Sequence, residues 1–409
     1  MNRLDPTAIA TRVALVAEAC IAVARGQHAS SLGADVQRLS GLFTDQRGNR
    51  SSTYMREPAM RRAYLAFFVP HNVARLSSLL LQAHQEGLLP GIEPRSVLDL
   101  GAGPLSGVLA TWCVYGALPA ATAVDLSRSA LDAGVAVLQK VGADVANVVT
   151  LERSIGGAPG SWLPKQPVDL VIAANVLNEL SDPRDHGPRN RLVSAALSAL
   201  SARGRFLIVE PAMRVETRAL MALRDDLVAD GVGILSPCRG ARACPLLQTR
   251  GDWCHQELRW DQRPAAYVAL EREARLPKGL LAAAHLLLGT PTDPAPQAGL
   301  RVVGGVMRDP QGVERRYVCG RELVTISGTP RLPKTVGDAH RGGLVGDAEA
   351  RVGAADTRTA ARAGAPPASR TDERRGPPTR RSPHAPPSRN GRAGPARGPR
   401  PAGPPKRGR

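Results

Sequence analysis

Aromatic residues are scarce in this chain: Phe, Trp and Tyr make up 3% of its 409 residues. That scarcity argues against a surface built from many base-stacking platforms. Cysteine is sparse too, and six in this length do not make a disulfide framework. Long apolar runs are missing. Glu18 interrupts the stretch from Val13 to Ala24, so no secretory signal is evident. The run from Leu280 to Leu288 is too short to span a bilayer. These features imply a soluble, cytoplasmic chain with no membrane partner.

Positive charge is plentiful. The formal net charge is +18, and residues 331–409 alone hold 18 Lys and Arg against 6 Asp and Glu. Such a balance suits a polyanion such as nucleic acid. The plainer alternative is a solubilising tail that meets acids nonspecifically. The hydrophobic fraction of 43% supports a sizeable core, and the length allows two domains or one large domain with a tail.

Four segments are expected. Residues 1–90 read as helical, with apolar residues at three and four spacing, as at Ile9, Val13 and Val16, then Val73, Leu76 and Leu80. Arg56, Arg61 and Arg62 put positive charge there, on what reads as a solvated face or a phosphate contact. Residues 91–230 alternate strand and helix, with strands at 95–100, 121–125, 147–152, 168–174 and 204–210, which implies a parallel, doubly wound α/β sheet. Residues 231–330 hold a cysteine-rich stretch and the C-terminal strands of the core, expected at 266–271, 301–307, 313–319 and 323–327, the middle two pairing as a hairpin across Arg308–Gly312. Residues 331–409 are rich in Pro, Gly, Arg and Ala and read as disordered, because they lack apolar surface to bury.

The segment Val97-Leu-Asp-Leu-Gly-Ala-Gly-Pro-Leu-Ser-Gly107 is a strand entering a glycine turn and a helix. Gly101 and Gly103 let the backbone turn sharply and approach a ligand, Pro104 fits the first helical position, and the helix start offers N–H groups to an anion. Asp125 ends the next strand, where a carboxylate can accept from both ribose hydroxyls. A glycine turn alone also suits a nicotinamide dinucleotide. The G-x-G-x-x-x-G spacing, with Asp99 two residues earlier, resembles the first motif of S-adenosylmethionine (SAM) dependent methyltransferases. The candidate cofactor-binding residues are Asp99, Gly101, Gly103, Gly107, Asp125 and Asn175.

The fourth strand ends in Ala173-Ala-Asn-Val-Leu-Asn-Glu-Leu180, at the end of the sheet that faces ligands in such folds. Asn175, Asn178 and Glu179 are therefore the catalytic candidates, although Glu179 also suits a helix start, which favours acidic residues. The Asn-Pro-Pro-Tyr pattern of amino-methylating enzymes is absent.

Cys238, Cys244, Cys254 and Cys319 follow, spaced C-x5-C-x9-C-x64-C. Thiolates in such a set are metal ligands. The loose spacing suits an iron–sulfur cubane held from several loops, with a single zinc as the alternative. Cys20 and Cys113 lie in apolar helical patterns and read as core residues.

Leu98-Asp-Leu-Gly-Ala-Gly-Pro, Asn175-Val-Leu-Asn-Glu-Leu, Pro237-Cys, Cys244-Pro and Asp252-Trp-Cys-His occur together over residues 55–327. The combination resembles the methyltransferase-like small-ribosomal-subunit family, which includes mitochondrial methyltransferase-like protein seventeen. The resemblance implies a SAM-methyltransferase fold, a role in assembly of the small ribosomal subunit or on its RNA, and a [4Fe–4S] cluster on Cys238, Cys244, Cys254 and Cys319. It also implies SAM at Asp99, Gly101, Gly103 and Asp125, and a protein that is monomeric off the ribosome. The chain departs from mitochondrial members by its basic tail and by the lack of a transit-peptide pattern, as a bacterial relative would.

Overall fold

The computed structural model describes residues 4–25, 31–43, 55, 57–90, 93–180, 185–238, 243–249, 252–289, 299–320 and 322–346. All of them fall within one compact unit, Met1–Thr359. Arg56, Arg239, Arg242, Arg250 and the tail from 347 onward lie outside the described residues.

The N-terminal segment forms α1 (Pro6–Arg25), α2 (Leu32–Phe43), α3 (Pro58–Ala63) and α4 (Val69–Gln85), with a π-helical turn over Tyr64–Phe68 between the last two. The alternating segment follows as β1 (Ser96–Leu100), α5 (Ser106–Tyr115), β2 (Ala120–Asp125), α6 (Arg128–Lys140), β3 (Val148–Glu152), β4 (Val168–Ala174), α7 (Leu177–Leu180), α8 (Gly187–Ser198), β5 (Leu200–Pro211) and α9 (Arg214–Ala229). Local chemistry sets several of these limits. Ser127 caps α6 by accepting the Ala130 N–H at 3.3 Å, and Gly116 ends α5 in the left-handed conformation.

The strands β1 to β5 lie parallel in the order 3-2-1-4-5. Leu98 of β1 stands between Thr122 and Val171, and its side chain is fully buried. The sheet continues through β8 (Leu280–Gly289), antiparallel to β5, then β6 (Gly233–Ser236), with β7 (Gln256–Arg259) also paired to β8. This is the expected doubly wound α/β fold. The strand order reverses between β1 and β4, and a ligand crevice opens at the carboxyl ends of strands around such a switch point.

One core cluster runs from α1 and α4 into the sheet: Val16, Cys20, Phe67, Leu80 and Cys113 pack with Leu170, Leu207 and Ala283. It carries the N-terminal helices onto one sheet face. Among the described residues α1 is also long and apolar enough to cross a membrane, yet its stripe from Ile9 to Ala24 is buried in this core. A second cluster, including Val171, Phe206, Leu192 and Leu223, covers the opposite face.

Three expectations are corrected. Residues Ala266–Glu271 are part of a helix, α10 (Ala265–Glu273), rather than a strand. Pro264 starts it, and Tyr267, Leu270 and Ala274 meet the core at helical spacing. The apolar run Leu280–Leu288, read only as too short to span a bilayer, is in addition a strand buried between neighbours on both edges, which explains its lack of alternation. The strands after residue 300 form their own sheet: β9 (Leu300–Val302), β10 (Met307–Arg308), β11 (Glu314–Cys319), β12 (Leu323–Ser327) and β13 (Leu344–Val345), in the order 10-11-9-13 with β12 on β11. The expected hairpin is present, pairing Met307 with Arg315 and Arg308 with Glu314. Last, residues 331–346 are folded, with α11 (Lys334–Gly337) among them, because Leu332, Val336 and Val345 complete a small core with Val302, Val318 and Ile326.

Candidate functional site

The glycine loop after β1 closes on the end of β2. Gly103 donates its N–H to Asp125 Oδ2 at 2.8 Å, and Ser127 donates to Oδ1 at 2.8 Å. Each carboxylate oxygen keeps a further lone pair for a ligand hydroxyl. Burial pushes the Asp125 carboxyl up, and the N–H groups of Ser127, Gly103 and Leu126 oppose it.

Gly101 has φ +63°, and a Cβ there would stand 2.3 Å from Val176 Cγ2. Glycine is what lets the loops after β1 and β4 meet. The helix itself begins at Ser106 rather than at Pro104, because Leu105 adopts a left-handed backbone with φ 59°. Asp99 lies beneath the loop, 1% exposed, and accepts from Gly107 N at 2.9 Å and Val108 N at 3.2 Å. A Cβ on Gly107 would fall 2.7 Å from that carboxyl carbon. Burial pushes Asp99 up to about 7 against these two hydrogen bonds.

Beside the loop, a cavity of about 270 Å³ opens at the carboxyl ends of β4 and β5. The three catalytic candidates line it, with Tyr64, Asn72 and Arg75 from the helical segment and Lys278 before β8. Asn175 holds a left-handed backbone, φ 58°, a strained choice for a non-glycine residue that clusters at functional sites. Its Oδ1 accepts from Arg75 Nη2 at 2.9 Å, and its Nδ2 donates to Asn72 Oδ1 at 3.3 Å. Asn178 is committed elsewhere: its backbone N–H and its Nδ2 both donate to Glu210 Oε2, the latter at 2.7 Å. Glu210, at the end of β5, also accepts from Leu177 N. Burial raises the Glu210 carboxyl to about 7, and these hydrogen bonds oppose the rise.

No sequence motif marks Tyr64, Asn72, Arg75 or Glu210; the first three show only the apolar spacing of the helical segment, and Glu210 only its place at the end of β5. The π-helical turn sets Tyr64 against the glycine loop, 4.0 Å from where a Gly103 Cβ would stand. Such turns inside helices occur often at functional sites.

The structure brings the four clustered cysteines together. Cys244, Cys254 and Cys319 share one cluster with Met221, and Cys238, Cys244 and Cys254 line one small cavity. Burial pushes the Cys254 thiol well up, and the thiols of Cys238, Cys319 and Cys244 push it further. Burial, then Cys238 and Cys244, raise Cys319 to about 12. Among the described residues, however, no three His, Cys, Asp or Glu side chains converge as ligands of one metal ion. Arg218 of α9 braces the loop from beneath: Nη1 donates to the carbonyls of Thr249 and Asp252, each at 2.9 Å, and Nη2 to that of Leu247 at 3.1 Å. Arg301 of β9 donates to Pro237 O at 2.9 Å and so ties the second sheet to the same place. Arg61 and Arg62, read as a possible phosphate contact, turn inward instead, to Met55 O and to Asp35.

Solved structures with a resemblance include a Streptococcus mutans protein described as a SAM-dependent methyltransferase, at 14% identity and TM-score 0.33, covering 52% of this chain and 48% of that one. The plantazolicin methyltransferase BpumL in complex with SAH matches at 15% and 0.31, over 63% of this chain and 96% of its own. The ribosomal protein L11 methylase from Lactobacillus delbrueckii subsp. bulgaricus matches at 15% and 0.29, over 40% and 71%. The chain thus spans about half the length of the first of these. No curated protein matches it. The family described as "Mitochondrial small ribosomal subunit Rsm22" matches residues 58–275, more than half of the chain and the whole span from α3 through α10. The chain belongs to the Rsm22 family.

Proposed function

We propose that this protein binds SAM in the crevice between the glycine loop and Asp125, and transfers its methyl group to RNA of the small ribosomal subunit. The observation that carries the reading is the latch of Gly103 on Asp125 beside a polar cavity. Gly101 and Gly103 would let the backbone approach the cofactor, and Asp125 would hold the ribose hydroxyls. Asp99 and Gly107 act by shaping the loop, since Asp99 is sealed beneath it. The sulfonium already activates the methyl group, so alignment of the acceptor by Asn175 and Glu179 supplies most of the acceleration.

The four thiols fit a [4Fe–4S] cluster better than free thiols. Burial, and after it the neighbouring thiols, raise Cys254 and Cys319, so their thiolate forms need a compensating positive centre, which iron would supply. Cys238, Cys244, Cys254 and Cys319 would hold it, and with all four ligands from protein its chemistry is structural. Anaerobically purified protein is expected to carry about four irons and broad visible absorbance, lost in Cys244→Ser. About one zinc and no colour would replace the cluster with a zinc site. We place the protein in the cytoplasm, acting as a monomer before it meets the subunit.

A second reading, a non-catalytic assembly factor that keeps SAM as a structural ligand, is favoured by one observation. Asn178 spends its backbone N–H and one of its two Nδ2 hydrogens on Glu210, which leaves a single side-chain N–H for an acceptor. Calorimetry with SAM, run beside transfer of labelled methyl to small-subunit RNA, separates the two. Binding with transfer supports the enzyme, and binding without transfer supports the scaffold.

A further inference from the structure

The cavity beside Asn175 concentrates side chains that this chain otherwise rations. It has only four Phe and five Tyr. Phe43, Tyr64 and Phe68 all line this one cavity. Tyr64 and Phe68 are stacked, with centroids 5.7 Å apart and planes 19° apart, and Phe43 meets both edge-on. Lys278 Nζ stands 6.0 Å from the Phe68 centroid. The wall is therefore aromatic and bordered by positive charge, which suits a flat, electron-rich ring.

The polar side is as specific. Arg75 is 4% exposed and lines the cavity. Its Nη1 donates to Ala282 O at 3.2 Å and its Nη2 to Asn72 and Asn175. Its Nε is buried without any partner. A buried donor left unpaired is costly, and a guanidinium more so. An acceptor that a ligand brings against the guanidinium would offset that cost. Glu179 also lines the cavity and sets a carboxylate against any phosphate group. At about 270 Å³ the cavity is smaller than the roughly 300–1,000 Å³ that hold drug-sized molecules, and so suits a single ring system.

We propose that this cavity receives one unstacked nucleobase, its face on the Tyr64–Phe68 wall and an acceptor atom against the Arg75 guanidinium. The proposal rests on the RNA reading above and names how that RNA is engaged. An enzyme that acts on a base must take the base out of its stack and hold it between aromatic and polar walls. Tyr64 would then border both the base and the glycine loop, on the side from which a methyl group would come.

The test is the affinity of the full-length protein, with SAM present, for two RNA strands of about ten nucleotides. One strand is wholly abasic and the other carries one central adenine. The wild type is expected to prefer the single-base strand by about tenfold, the scale of one base on an aromatic side chain. Phe68→Leu, which keeps volume and loses the π-face, should erase the preference while abasic-strand and SAM affinities stay unchanged. Equal wild-type affinity for the two strands, with both bound, overturns the base pocket and leaves the RNA reading standing. A preference that survives in folded Phe68→Leu and Arg75→Gln overturns the assignment to this cavity. Failure to bind either strand at low salt, with SAM still bound, overturns both readings.

Discussion

Gly103 and Asp125 meet through one N–H···O bond of 2.8 Å, and that bond joins the loop after β1 to the end of β2. Removing the carboxylate takes away a ribose acceptor and also strands the Gly103 N–H. Asp125→Ala is expected to weaken SAM binding by about 10- to 100-fold, as for a lost hydrogen bond to a charged group. Titration calorimetry reads it, and an unchanged affinity would place the cofactor elsewhere.

Gly101 cannot be replaced cheaply. Its φ of +63° and the 2.3 Å approach of Val176 Cγ2 to a Cβ add strain to overpacking. Gly101→Ala is expected to cost about 2–4 kcal/mol in urea unfolding. A loss below about 0.5 kcal/mol, the level of an ordinary surface substitution, would show that the two loops separate readily.

Glu210 gives stability a pH dependence of definite sign. Its folded pKa, about 7, lies above the ordinary 4.5, so between those values the folded chain keeps a proton that the unfolded chain has released. Stability is greatest below about 4.5 as far as this group is concerned, and falls as pH rises to about 7. Glu210→Gln should make that fall shallower. Asp99, also raised to about 7, keeps some of the slope. Urea midpoints across this range check it, and an identical slope in the variant would contradict it.

Arg218 is the brace of the cysteine loop, and nothing in the sequence marks it. Arg218→Ala removes its bonds to the carbonyls of Leu247, Thr249 and Asp252. A loss of about 1–3 kcal/mol is expected, together with a lower metal content after purification. Full metal content with unchanged stability would show that the loop holds itself.

Truncation should distinguish the two parts of the basic tail. Deleting residues 347–409 removes 15 Lys and Arg against 5 Asp and Glu. It should lower RNA affinity, flatten its salt dependence and leave SAM binding intact. Deleting from 331 should also destabilise the second sheet, because Leu332, Val336 and Val345 belong to its core. Affinity unaffected by either salt or the shorter deletion would contradict a role for the tail in RNA binding.

The main sheet was legible in the sequence because strands β1 to β5 are separated by helices and the first enters a glycine turn. Gly101, Gly103 and Asp125 were legible because their spacing is a geometric requirement of that turn. The helix at Ala265–Glu273 was not, since Ala-Tyr-Val-Ala-Leu-Glu alternates well enough to pass for a strand over so short a window. Nor was the main-sheet strand at Leu280–Gly289, whose buried faces erase any period. Arg75 and Asn72 were out of reach for a different cause. They meet Asn175 across about 100 residues of chain, and only the packing of α4 onto the sheet brings them there.

The most direct test of the account is transfer of labelled methyl from SAM to small-subunit RNA by the full-length protein. Label is expected in that RNA with the wild type, and its loss in Asp125→Ala. Wild-type protein that binds SAM and the subunit yet leaves the RNA unlabelled would contradict methyl transfer and leave the scaffold reading in its place.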